Sequence, residues 1–170
     1  MHLPLISIDM KTYRIFIIPV FFVAFFSSCE NDIDKEKPNI DLTIPGAFPV
    51  NCDTIFFGES FELHVLFTDN VELGSYSIDI HHNFDHHSHS TEVNECSLDP
   101  VNDPVNPITY IEDFNIPEAR TSFETIVTIP VPSSGGNGLF DEGDYHFFIS
   151  LTDKEGWSAQ KGLSIKMLHR

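Results

Sequence analysis

Positive charge is what this chain most lacks. Its 170 residues carry nine Lys and Arg against 26 Asp and Glu, a net charge of −17. A surface of that sign repels phosphate, so nucleic acid is excluded as a partner. It equally excludes adhesion to anionic lipid through a basic patch. Cysteine is scarce at three, too few for a small disulfide scaffold. No apolar run reaches the ~20 residues of a membrane-spanning helix. Amphipathic helices are missing too, apart from a helical turn hinted at by Pro117-Glu118-Ala119-Arg120. There is no Gly-x-Ser-x-Gly elbow, no EF-hand loop and no His-Glu-x-x-His helix, so an enzyme is not expected. Hydrophobic residues make up 41%, enough for a core and against global disorder.

The first residues read as an export signal. Lys11 and Arg14 precede an uncharged run from Ile15 to Phe26, broken only by Pro19, and that length suits a signal h-region. Met10 would itself serve as a start. Phe26-Ser27-Ser28-Cys29 then resembles the lipobox of bacterial lipoproteins, in which the Cys is lipidated and becomes the mature N-terminus. Phe26 stands where Leu is usual. The expected division is a signal peptide over 1–28, an acidic tether over 29–38 and one domain over 39–170. The tether, Glu30-Asn31-Asp32-Ile33-Asp34-Lys35-Glu36-Lys37-Pro38, is similar to the surface-export signal of Bacteroidetes lipoproteins. These readings place the protein at the outer membrane, anchored through Cys29, on the surface or the periplasmic face. With Cys29 set aside, Cys52 and Cys96 form an even pair, a disulfide candidate in an exported chain; two free buried thiols are the alternative.

Strand signals fill the remainder. Period-two alternation runs through Ile40–Ile44, Phe61–Phe67, Tyr76–Phe84 and Tyr145–Leu151, with shorter apolar runs at Ile126–Ile129 and Leu163–Met167. Turn residues separate them, including Asp69-Asn70 and Asp153-Lys154-Glu155-Gly156. Asp99 to Pro107 holds three prolines and reads as an irregular connection. The expectation is an all-β, antiparallel, immunoglobulin-like sandwich of about seven strands.

One segment carries chemistry. Five of the nine His fall in His81-His82-Asn83-Phe84-Asp85-His86-His87-Ser88-His89. Imidazole is the commonest protein ligand for Zn, Cu and Ni. Asp79 and Asp85 would add oxygen ligands or accept the Nδ1–H of a ligating His. On a strand, Asp79 and His81 share the face opposite Tyr76, Ile78 and Ile80, and His82 falls in phase with the core. If 75–84 neighbours 145–152, His146 lies beside His81 on the outer face. The expected metal set is therefore His81, His86, His87, His89, His146, Asp79 and Asp85, with Zn or Cu favoured. His64 points outward from the other sheet and is a weaker candidate. The spacing is not that of a zinc finger.

Glu142-Gly143-Asp144-Tyr145 and Leu151-Thr152-Asp153-Lys154-Glu155-Gly156-Trp157 resemble the end of bacterial immunoglobulin-like domains. Together with Tyr76–His81 and Asn83–His89, they are similar to an uncharacterised family of Bacteroidetes lipoproteins with a single immunoglobulin-like domain. The resemblance implies fold and location and leaves activity open. Function is thus expected to be non-catalytic metal binding at the envelope, with an envelope protein as a further partner. The competing readings are an adhesion or glycan-recognition module using Trp157 and Phe148, and a Ca²⁺-stabilised domain using loop residues among Asp69, Asp99, Asp103 and Asp153.

Overall fold

Hydrophobic side chains at every second position need a dry surface on one side only, and each long strand supplies it. The computed structural model describes residues 34–170. The signal segment, Cys29 and residues 29–33 of the expected tether lie outside the described residues. Within them the order is β1 (Asn39–Asp41), β2 (Thr54–Phe56), β3 (Ser60–Thr68), β4 (Leu73–His82), β5 (Tyr110–Asn115), β6 (Ser122–Pro130), β7 (Ser134–Gly135), β8 (Gly138–Leu139), β9 (Gly143–Asp153) and β10 (Ser158–Leu168). No helix occurs among the described residues.

The strands form a three-stranded sheet, β1-β3-β6, and a five-stranded sheet, β2-β10-β9-β4-β5; β7 and β8 make a small hairpin. Leu63, Val65 and Phe67 from β3 face Tyr76, Ile78 and Ile80 from β4 and Tyr145, Phe147, Ile149 and Leu151 from β9, all buried. Contacts between the sheets are direct. The rings of Phe67 and Tyr76 lie 4.8 Å apart, those of Phe61 and Phe147 6.0 Å apart. The Tyr76 hydroxyl meets the Thr125 hydroxyl at 2.9 Å, which satisfies two polar groups inside the core.

The all-β expectation is met, with differences of detail. There are ten strands, three of them only two or three residues long beside β1, and β2 runs parallel to β10. Two pairings had weak sequence signals. β2 is three residues long, and β5 alternates the half-buried Tyr110, Glu112 and Phe114 with exposed positions, so a carboxylate interrupts its apolar face. The compact unit begins at Asp34, ahead of the expected boundary at residue 39, and both Asp34 and Pro38 are buried.

Residues 83–109 connect β4 to β5, a long stretch without strand or helix, of the kind that in compact domains usually carries function. Several ties hold it to the rest of the domain. Cys52 and Cys96 are bridged across a separation of 44 residues. Thr91 N donates to Gly162 O at 2.9 Å, and Asn51 Nδ2 donates to Asn94 O at 2.8 Å. Replacing both Cys52 and Cys96 by Ala is expected to cost about 3–4 kcal/mol by loop-closure entropy, read as a lower midpoint in guanidinium unfolding under non-reducing conditions.

Candidate metal centre

The pairing of β4 with β9 sets His81 directly opposite His146. Both lie at the end of the sheet where the 83–109 connection departs. His86 has a left-handed backbone, φ 59°, and the turn brings the following residues back over β9. As a result the rings of His81, His87, His89 and His146 cluster. Their six centre-to-centre distances run from 4.7 Å (His87–His89) to 5.8 Å (His81–His87 and His81–His89). A tetrahedral ion bound by four imidazoles at about 2.0–2.1 Å would hold ring centres roughly 5.2 Å apart, a ring nitrogen lying ~1.1 Å from its centre. The spread of observed distances brackets that value.

His81, His87 and His89 each bring one ligating nitrogen within 4.8 Å of the others. Nitrogens bonded to one tetrahedral ion sit ~3.3 Å apart, so small ring rotations close the shell. His146 stands behind this triplet. Its Nε2 donates to His87 O at 3.0 Å, leaving a buried Nδ1 with no hydrogen-bond partner among the described residues. That orphaned lone pair is the donor type a soft or borderline cation takes.

The two carboxylates act on the rings. Asp79 Oδ1 accepts from His81 Nδ1 at 3.0 Å, and Asp85 Oδ1 accepts from His87 Nδ1. Each bond fixes the tautomer with the proton on Nδ1, so Nε2 carries the lone pair. The His87 N–H holds the Asp85 carboxyl below its usual range. Asp79 and Asp85 are thus placed as orienting groups, and neither belongs to the nitrogen triplet.

His86, expected in the set, goes elsewhere. The same backbone turn that delivers His87 points His86 away, and its Nε2 donates to Asp99 O at 2.9 Å, with Asp144 Oδ2 4.0 Å distant. His64 also stands apart, on β3 of the other sheet, with both nitrogens engaged by Gly46 O and Glu124. His82 packs its ring against Phe84 at 5.1 Å. Of the two aromatics considered for glycan binding, Phe148 is half-buried and lies against His81 at 5.7 Å. Trp157 donates its indole N–H to Asp34 O at 3.0 Å.

One residue escaped sequence reasoning. Gly162 sits in β10 beneath the His-bearing segment, where an added Cβ would lie 2.4 Å from His89 O and 2.7 Å from Phe148 Cε1. Only glycine lets the segment lie that close. The signal was present as a lone Gly inside an alternating strand, which marks close approach of another backbone.

Residues 27–168 match the family described as Domain of unknown function (DUF4625). The chain belongs to that family. No curated protein matches it. The match spans both the strand and the loop that carry the imidazoles.

Burial lowers the His146 imidazole below its ordinary value, and the neighbouring rings of His87, His81 and His89 act in the same direction. His64 is raised by its bond to Glu124. The signs have opposite consequences. His146 stays neutral in the fold while the unfolded chain takes up its proton, so its contribution to stability falls as pH drops through about 6.5. His64 contributes below that pH and loses its contribution as pH rises through its raised value. In the metal-free protein, NMR titration is expected to find His146 titrating below, and His64 above, the ordinary histidine value. Glu124→Gln should return His64 toward it.

Proposed function

We propose that this protein is a lipid-anchored envelope protein of immunoglobulin-like kind that binds a transition metal, Zn or Cu, without catalysis. The observation that carries the reading is the cluster of four imidazoles with two of their Nδ1–H groups held by Asp79 and Asp85. Four clustered imidazoles favour a borderline cation over Ca²⁺ or Mg²⁺, which prefer oxygen. His81 and His87 would supply Nε2 and His89 a ring nitrogen, and the unpartnered Nδ1 of His146 would be the fourth donor after a small ring movement. Binding rather than hydrolysis is supported by the same bonds. A catalytic zinc keeps an open position and a general base beside it. Here a fourth ring, His146, lies beside the triplet, and both nearby carboxylates are engaged by histidine.

Anchoring rests on Lys11, Arg14, the Ile15–Phe26 run and Phe26-Ser27-Ser28-Cys29. Export agrees with the Cys52–Cys96 bridge, since disulfides persist in oxidising compartments. A tethered site with imidazole donors at an envelope suits capture of scarce metal, or its hand-over to an envelope partner.

Equilibrium dialysis against Zn, Cu and Ni, followed by mass spectrometric metal analysis, tests the reading. One ion per chain is expected, and no bound metal at micromolar concentrations would refute it. His81→Ala and His87→Ala should each cost about 3 kcal/mol of Zn affinity, one share of the ~10–16 kcal/mol of a complete site. Asp79→Asn should weaken binding about 10–100-fold, and His86→Ala should leave it unchanged. Affinity should fall as the pH is lowered, because protons compete with the metal for the imidazole nitrogens.

Gly162→Ala replaces no ligand, yet its Cβ would meet His89 O and must lift His89 off β10. Zn affinity should drop at least tenfold while thermal melting shows a folded protein; parental affinity would mean the 87–91 segment adjusts freely.

A further inference from the structure

A second, chemically different cluster lies at the other end of β4 and β9. His146 and Asp153 are both on β9, seven positions apart in the chain, roughly 20 Å at the rise of a strand. Asp69 follows β3, Asp153 ends β9 and Asp34 opens the compact unit. Each offers one carboxylate oxygen within 4.8 Å of those of the other two. Asp34 is 6% exposed and Asp153 4%.

Every one of these carboxylates has one oxygen anchored and one left over. Asp34 Oδ1 accepts from Glu36 N at 3.0 Å and Asn70 Nδ2 at 2.8 Å. Asp69 Oδ2 accepts from Val71 N and Glu72 N, both at 2.8 Å. Asp153 Oδ1 accepts from Gly156 N at 2.6 Å and Trp157 N at 2.8 Å. The remaining oxygens, Asp34 Oδ2, Asp69 Oδ1 and Asp153 Oδ2, are buried and have no hydrogen-bond partner among the described residues. No Lys or Arg forms a salt bridge with any of the three among those residues. The Asn70 amide and the Glu36 N–H hold the Asp34 carboxyl below its usual range, which favours its ionised form. Three carboxylate oxygens gathered at one point without a hydrogen-bond donor or a cationic side chain, two of them on buried residues, call for a cation between them.

We propose that Asp34, Asp69 and Asp153 form a Ca²⁺ site that clamps the first residues of the domain onto the β3–β4 and β9–β10 turns. The donor set is oxygen only, which selects a hard cation. Two oxygens on one Ca²⁺ lie up to about 4.6–5.2 Å apart, against about 4.0–4.2 Å for Mg²⁺, which also demands a near-ideal octahedron. Backbone carbonyls and water would complete the shell. The clamp fastens the chain where it enters the domain, and it is independent of the imidazole cluster. Of the four loop carboxylates considered from sequence, Asp69 and Asp153 belong to it. Asp99 instead pairs with Lys166 at 2.9 Å, and Asp103 is exposed.

The test uses the full chain, purified with EGTA and then freed of it. Ca²⁺ at about a hundredfold over its Kd should raise Tm by about 5–10 °C, with a smaller rise for Mg²⁺. Tb³⁺, a Ca²⁺ surrogate, should show sensitised emission from Trp157, the one Trp of the chain, displaced by Ca²⁺ and lost in Trp157→Phe. Asp153→Asn should abolish the Ca²⁺ shift, yet melt no lower than the parent in EGTA, because one repelling charge is gone. His81→Ala should keep the full shift. Equal Tm in Ca²⁺ and EGTA would overturn the proposal, as would an undiminished shift in Asp153→Asn or an equal response to Mg²⁺. Should Asp153→Asn fail to fold, the Tb³⁺ titration of the parent decides alone: saturable, Ca²⁺-displaced emission supports the site, and its absence overturns it.

Discussion

The antiparallel pairing of β4 with β9 is the constraint on which both ends of the molecule depend. Its register sets Ile78 against Ile149 and Ile80 against Phe147, which buries the apolar faces of both strands against β3. The same register sets His81 against His146 at one end and Leu73 against Asp153 at the other. A slip of one residue would turn the imidazoles into the core and the isoleucines into water. The hydrophobic cost of that exchange, about 1.5–3 kcal/mol for each large side chain exposed, protects the position of polar groups that contribute little to folding themselves.

The register does not close the imidazole cluster alone. Two of the four rings come from the 83–109 connection, whose ordering costs conformational entropy. The Cys52–Cys96 bridge, the bonds of Thr91 to Gly162 and the close seat of His89 over Gly162 limit that freedom before any ligand arrives. His86 takes part in the same task. Its left-handed turn and its bond to Asp99 O fold the loop back, so a histidine that looked like a ligand shapes the path of its neighbours.

The two clusters sort by donor chemistry. At one end, neutral nitrogens oriented by carboxylates suit a borderline transition metal; at the other, carboxylate oxygens oriented by backbone amides suit a hard one. In each, a hydrogen bond to the back of the side chain fixes which atom faces forward. Asp79 and Asp85 do this for the rings, and the amides of residues 71, 72, 156 and 157 do it for Asp69 and Asp153. Such preorganisation lowers the reorganisation needed on binding.

The sequence by itself determined the all-β class, the faces of β3, β4 and β9 and the outward direction of His81. Those follow from period-two alternation, which depends on local geometry alone. Only the tertiary structure decided that His86 leaves the cluster, that Asp79 and Asp85 hold rings in place, and that Gly162 makes room for His89. It also joined Asp34 to Asp69 and Asp153, residues far apart in the chain. The reason is physical. A loop has no fixed period, so the direction of its side chains is set by the ties that fasten it, and a site built from three separate turns exists only once the sheets have packed.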